Sequence, residues 1–176
     1  MLDRDREAEL TGRAERTLLE LDGVDLVMRD TGHPDGEASI RGRRGGRVKE
    51  LRFMPGGDLE DARGGRWHVE GDLDLLALQQ RDGRLASATY PDALARAWSA
   101  LRTRTAGEVL ASARPGYEFL DWGGAHHVGG GSHGSLHAND SLGSLIWCGT
   151  GPDSSDAREQ WALRDIVPMI TDHFQV

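Results

Sequence analysis

Apolar positions at Leu10, Ala14, Thr17, Leu18 and Leu21 recur at helical spacing with charged residues between them, which predicts an amphipathic helix over residues 3–21. Asp22-Gly23 stops it, and VDLVMRD, Val24 to Asp30, reads as a strand bounded by turn residues. A helix feeding a strand is the start of an α/β unit. From Thr31 to Gly71 the short apolar stretches EASIRG, RVKELRFM and RWHVEG alternate with GHPDG, RRGG and PGGDLEDARGG. That alternation predicts two or three antiparallel strands joined by hairpins, here a β-hairpin insertion over 31–71.

Leu73 to Gln80 then reads as a short helix. Pro91 opens a second amphipathic run whose apolar face is Ala93, Leu94, Ala97, Trp98 and Leu101, with Trp98 a core residue. Glu108 to Ala113 reads as a strand, followed by a Pro-Gly turn and a second short strand ending at Trp122. The wholly apolar SLIWCG, Ser144 to Gly149, predicts a strand inside a covered sheet. Residues 157–173 predict a closing helix that buries Trp161, Ile166, Val167 and Ile170, with Pro168 kinking it or marking a restart. The pattern as a whole predicts an α/β fold in a single domain over 1–176.

Between the last two predicted strands lies GGAHHVGGGSHGSLHAND, Gly123 to Asp140. It holds His126, His127, His133 and His137 together with Gly123, Gly124, Gly129, Gly130, Gly131 and Gly134. Glycine allows tight backbone turns, and imidazole is the commonest metal ligand. Strand ends in α/β sheets are where ligands commonly bind. Three uses of the segment compete. The histidines bind a transition metal; the glycine-rich backbone cradles an anion; or the segment is a surface loop without function. Spacing alone builds no complete metal site: His126 and His127 are adjacent, and Gly134 argues against a helix joining His133 to His137. No Walker pattern and no G-x-S-x-G elbow is present, which excludes a P-loop and that hydrolase nucleophile.

Charge and cysteine usage narrow the setting. The net charge of −8 argues against a nucleic-acid polymer or a membrane surface as partner. Arg41, Arg43, Arg44 and Arg47 form a local basic run, read as solvated arginines on a glycine-rich hairpin because the surrounding chain is acidic. His33 and His68 stand alone and read as structural or solvent-facing. Cys148 is the only cysteine, so an internal disulfide is impossible and a reducing, cytoplasmic setting is expected. The charged N-terminal stretch is neither a signal peptide nor an anchor.

GSHGSLHANDSLGSLIWCGTG followed by REQWALRDIVPMITDHF resembles the C-terminal portion of the alkaline phosphatase superfamily, in particular the type I phosphodiesterase/nucleotide pyrophosphatase proteins. The matching features are His133-Gly134, the apolar run Leu145 to Gly149, and Asp165-Ile166-Val167-Pro168. The resemblance implies a partial α/β/α sheet of that fold with a small antiparallel subregion. Residues 121–176 would supply a metal-ligand loop, a core strand and the closing helix. It implies two metal ions, usually zinc, with His133 ligating one of them, and a phosphate-ester small molecule as substrate. His127 and His137 are secondary metal candidates, and Asp140 is a candidate substrate-side or supporting group. The resemblance assigns none of these three a role.

The departure is large. The chain holds no Asp-His-Gly, and Asp172-His173 is followed by Phe174. Asp121 and His126 are one residue too far apart for the family's ligand pair and come in the wrong order. The nucleophile and most metal ligands are therefore missing, no catalytic residue is assigned, and the chain alone is expected to hydrolyse phosphate esters poorly or not at all. The alternative is a non-catalytic metal- or anion-binding domain. An incomplete sheet would also leave an exposed edge through which copies self-associate.

Overall fold

The computed structural model describes residues 4–120, 134–149, 151–152 and 161–175. The chain divides into two compact units, Met1–Ser141 and Leu142–Val176.

The first unit is mixed α/β, built on an open seven-stranded sheet. Helix α1 (Arg4–Glu20) leads into β1 (Val24–Asp30), and β2 (Ala38–Arg44), β3 (Arg47–Asp61) and β4 (Arg66–Gly71) follow. A 3₁₀ turn (Leu73–Leu76), β5 (Gln79–Arg81), β6 (Arg84–Ala86), α2 (Ala93–Leu101), β7 (Leu110–Ala113) and the single turn α3 (Ala138–Ser141) complete it. The strand order is β5-β6-β3-β2-β1-β7, with β4 also on β3. Every pairing is antiparallel except β3 with β6.

The hairpins of 31–71 belong to this same sheet. β2 and β3 form the middle of the sheet, because β2 pairs β1 from Val27 opposite Arg41 to Asp30 opposite Ala38. A hairpin fills Gln79 to Ala86 where a helix over Leu73–Gln80 is expected, and only Leu73–Leu76 are helical. Its signal was Asp82-Gly83, both at positive φ, the residues that a tight two-residue hairpin turn demands.

The main core lies on one sheet face. Leu26, Met28, Ile40, Leu51 and Phe53 meet Leu75, Leu76, Leu94 and Ala97 from the 3₁₀ turn and α2. Phe53, Trp67 and Trp98 pack edge to face at centroid separations of 5.7, 6.2 and 6.1 Å, and the Arg102 guanidinium lies 3.1 Å above the Trp98 ring. Trp98 is thus a half-buried core residue as expected. On the opposite face Leu19 of α1 joins Val24 and Val27. The helix is right but its inner side is not the predicted one. Glu15 and Leu19 face the sheet, while Leu10, Ala14, Thr17 and Leu21 are exposed. Arg29 and Arg41 turn the helix, drawing Glu15 inward at 3.4 and 3.3 Å.

Gly42 shows how closely β2 is pressed. A Cβ there would sit 2.7 Å from the Asp25 carbonyl oxygen and 3.0 Å from a Leu75 methyl. Gly42→Ala is expected to destabilise the fold by about 1–3 kcal/mol through overpacking, measurable as a lower urea midpoint at unchanged m-value.

In the second unit, SLIWCG is not a strand: residues 142–148 have no regular structure, and Ile146 is 87% exposed. An apolar run becomes a strand only where a neighbouring strand takes its backbone hydrogen bonds, and none does so among the described residues. The same absence applies to the strand expected before Trp122, since 114–120 carry none. Helix α4 (Leu163–Phe174) runs through Pro168, with the Asp165 carboxylate accepting the Ala162 N–H at 2.7 Å. Its expected buried side is not buried: Val167 and Ile170 are exposed, and Ile166 and Trp161 only half-buried. Residues 157–160 of that predicted helix lie outside the described residues. No helix among those described is long and apolar enough to cross a membrane.

Candidate functional site

The end of the histidine–glycine segment, Gly134 to Ser141, is tied to the first unit's core. Ser135 and Leu136 are buried between the exposed Gly134 and the single turn α3. Groups on β7, on α2 and in the bend before α2 hold this stretch. On β7, the buried Ser112 hydroxyl accepts the Leu136 N–H at 3.0 Å. On α2, the Arg96 guanidinium donates to the carbonyls of Ser135 at 2.8 Å, Leu136 at 3.1 Å and Pro91 at 3.3 Å. The Thr89 carbonyl, just before α2, accepts the Ala138 N–H at 2.8 Å. Burial lowers the Arg96 pKa, with Asp92 opposing the shift, yet a guanidinium stays charged at any working pH.

Within the segment the side chains fold back on their own backbone. Ser135 Oγ accepts the His137 N–H at 3.1 Å and donates to Asp140 Oδ2 at 2.7 Å. Ser141 Oγ donates to the His137 carbonyl at 2.7 Å. Asp140, a candidate substrate-side group, thus spends one carboxylate oxygen on closing this turn. His137 Nδ1 accepts the Asn139 N–H at 3.2 Å, and its ring stands edge-on to Tyr90 at 5.5 Å. An imidazole whose Nδ1 accepts carries its proton on Nε2, so the arrangement suits hydrogen-bond donation from Nε2 better than metal ligation there.

Tyr90 extends the arrangement into the core. Its hydroxyl donates to Asp25 Oδ2 at 2.7 Å and accepts from Arg44 at 2.9 Å, while Arg44 also reaches Asp25 Oδ1 at 3.1 Å and the Leu75 carbonyl at 3.0 Å. Asp25, one of the few buried carboxylates, is missed by sequence reasoning because it sits in the apolar register of β1. Burial, then the hydrogen bond to Asp25, raises the Tyr90 pKa well above its ordinary value near 10. A raised folded pKa contributes stability that is complete below about pH 10, the unfolded value, and is lost as pH rises above it. Tyr90→Phe is expected to cost about 1–2 kcal/mol at pH 8 and to flatten the decline in stability above about pH 10, measured by urea titration at each pH.

The basic run does not present a patch. Arg41 pairs with Glu15, Arg43 donates to the Leu19 carbonyl at 2.8 Å, and Arg44 joins Asp25. Arg41 and Arg44 are half-buried and brace α1 and the sheet, while Arg43 and Arg47 are exposed as expected of a hairpin. Lys49, the single lysine, is taken by Asp74 and Asp72. His33 and His68 are exposed beside Asp35 and Glu70.

His126, His127 and His133 lie outside the described residues. Among those described, no group of three or more His, Cys, Asp or Glu is placed to hold a metal. What the structure does place is the residue next to His133: Gly134 is exposed at φ +108°, and Ser135 after it is buried and pinned. No family model matches the chain, and no curated protein or solved structure does either.

Proposed function

We propose that the chain supplies one wall of a metal-dependent phosphoesterase site, with His133 as a zinc ligand. The supporting observation is the anchoring of Gly134–Ser141 by Arg96, Ser112 and Thr89, which holds the carboxyl side of His133 to a rigid sheet. A ligand must be held by structure that does not yield when the metal is absent, and a buried serine beside a glycine at positive φ provides such a base. Zinc, when bound, would polarise a phosphoryl oxygen as a Lewis acid. This chain's own residues anchor the ligand segment, through Arg96 and Ser112, and keep Asp140 and His137 folded on it. With no Asp-His-Gly in its 176 residues, the chain provides too few ligands for a two-metal centre, so it binds without turning over.

The second reading, a binding domain that holds metal or an anion without catalysis, draws on the same glycine-rich segment. Equilibrium dialysis of inorganic phosphate against the purified chain, with and without zinc, separates the two. The expected result is zinc-dependent phosphate retention with no hydrolysis of a chromogenic phosphodiester. Equal retention without zinc would favour the anion-binding domain. Chelator-sensitive turnover would overturn the claim that the site is incomplete.

A further inference from the structure

We propose that two copies of this chain pair antiparallel through the outward face of α1. Leu10, Ala14 and Thr17 of α1 and Leu21, the residue directly past its end, recur at spacings of four, three and four, the repeat of a coiled-coil seam. The seam points away from the sheet, because Glu15 and Leu19 hold the other side of the helix down. Leu10 is 48% and Leu21 50% exposed, and Leu10, Arg13, Ala14, Thr17 and Leu18 line one shallow groove.

Charge selects the occupant. Around a two-fold axis that sets Ala14 opposite the partner's Thr17, Leu10 falls opposite the partner's Leu21. In that register Arg13, beside the seam, falls next to the partner's Glu20, and symmetry repeats the contact. Neither Arg13 nor Glu20 has an ion-pair partner among the described residues. The small side chains of Ala14 and Thr17 at the centre let the two helices approach closely. A parallel pairing would instead set Arg13 beside the partner's Leu18 and leave both Arg13 and Glu20 without an opposite charge across the seam. The 17 residues of α1 span about 25 Å, so the interface belongs to the small, transient class below about 1,200 Å².

Sedimentation equilibrium of the full chain over about 10–500 µM, the range of a transient interface, tests the pairing. The expected result is a concentration-dependent dimer that Ala14→Glu weakens at least about tenfold while circular dichroism and melting temperature stay at wild-type values, since Ala14 is exposed. Arg13→Glu and Glu20→Arg should each weaken self-association, and an equimolar mixture of those two variants should recover it, because both cross-contacts are then opposite in sign. A wild type that stays monomeric at the top of the range overturns the proposal. So does a dimer indifferent to Ala14→Glu, such as one formed through an open sheet edge, or a mixture no more associated than either variant alone.

Discussion

Asp25→Ala is expected to destabilise the first unit by about 3 kcal/mol, the lower end of what breaking a buried ion pair costs, because Arg44 retains partial access to water. Asp25 is the only carboxylate shown accepting both the Tyr90 hydroxyl and the Arg44 guanidinium, and it lies in the apolar register of β1 beside Leu26. Its removal takes the acceptor from the Tyr90 hydroxyl and the counter-charge from Arg44, which keeps only its neutral acceptors such as the Leu75 carbonyl. The diagnostic comparison is the triple variant Asp25→Ala/Arg44→Met/Tyr90→Phe, which removes the charge and the hydroxyl together with their shared acceptor and leaves only the part-buried Leu75 carbonyl without its donor. It should be more stable than Asp25→Ala alone in urea unfolding. If the triple variant is the less stable of the two, the cost comes from lost packing, and the buried network is not what Asp25 serves.

Arg96→Ala should lower stability by about 2–3 kcal/mol and act mainly on one segment. Three carbonyls lose a charged donor, and hydrogen bonds to charged groups are worth about 1.5–3 kcal/mol each, reduced here because loop carbonyls can turn to water. Amide exchange at Leu136, His137 and Ala138 should accelerate by a factor of ten or more, while β1 to β3 remain protected. Arg96→Lys restores charge but not the forked geometry that reaches two successive carbonyls, so it should recover only part of the protection. Uniform acceleration through the sheet would show that Arg96 supports α2 and not the segment after His133.

The sequence was legible where one physical signal dominated. β1 matches its predicted bounds, Val24 to Asp30, because five successive residues are buried between α1 on one face and the main core on the other. α2 begins at Ala93, two residues after Pro91 and directly after Asp92 at φ +52°, where the amphipathic run starts. The face of α1 was misread because its apolar stripe and its packing side differ: two arginines on the sheet outcompete Leu10 and Ala14 for the contact by pairing Glu15. Half of the arginine run was misread for a related reason, since Arg41 and Arg44 are half-buried and paired while Arg43 and Arg47 are exposed as expected. A guanidinium in a hairpin is indistinguishable by composition from one that braces a helix end, and only the fold brings Leu19 to Arg43 and Asp25 to Arg44. SLIWCG carries a strand's pattern without a strand's partner.

At the candidate site the sequence pointed to the segment but not to its supports. The glycines and histidines mark Gly123–Asp140. Ser112, Thr89 and Arg96, which hold its end, lie 24 to 49 residues from the groups of the segment they bind and share no motif with them.

The claim that His133 ligates zinc is tested most directly by zinc affinity. Titration of the purified chain against a chromogenic chelator, wild type beside His133→Ala and His137→Ala, reads each histidine's share. The expected result is that His133→Ala weakens zinc binding by more than about tenfold, since groups that merely support a ligand are already worth ten- to a hundredfold, while His137→Ala stays close to wild type. Equal zinc affinity in wild type and His133→Ala would contradict the account.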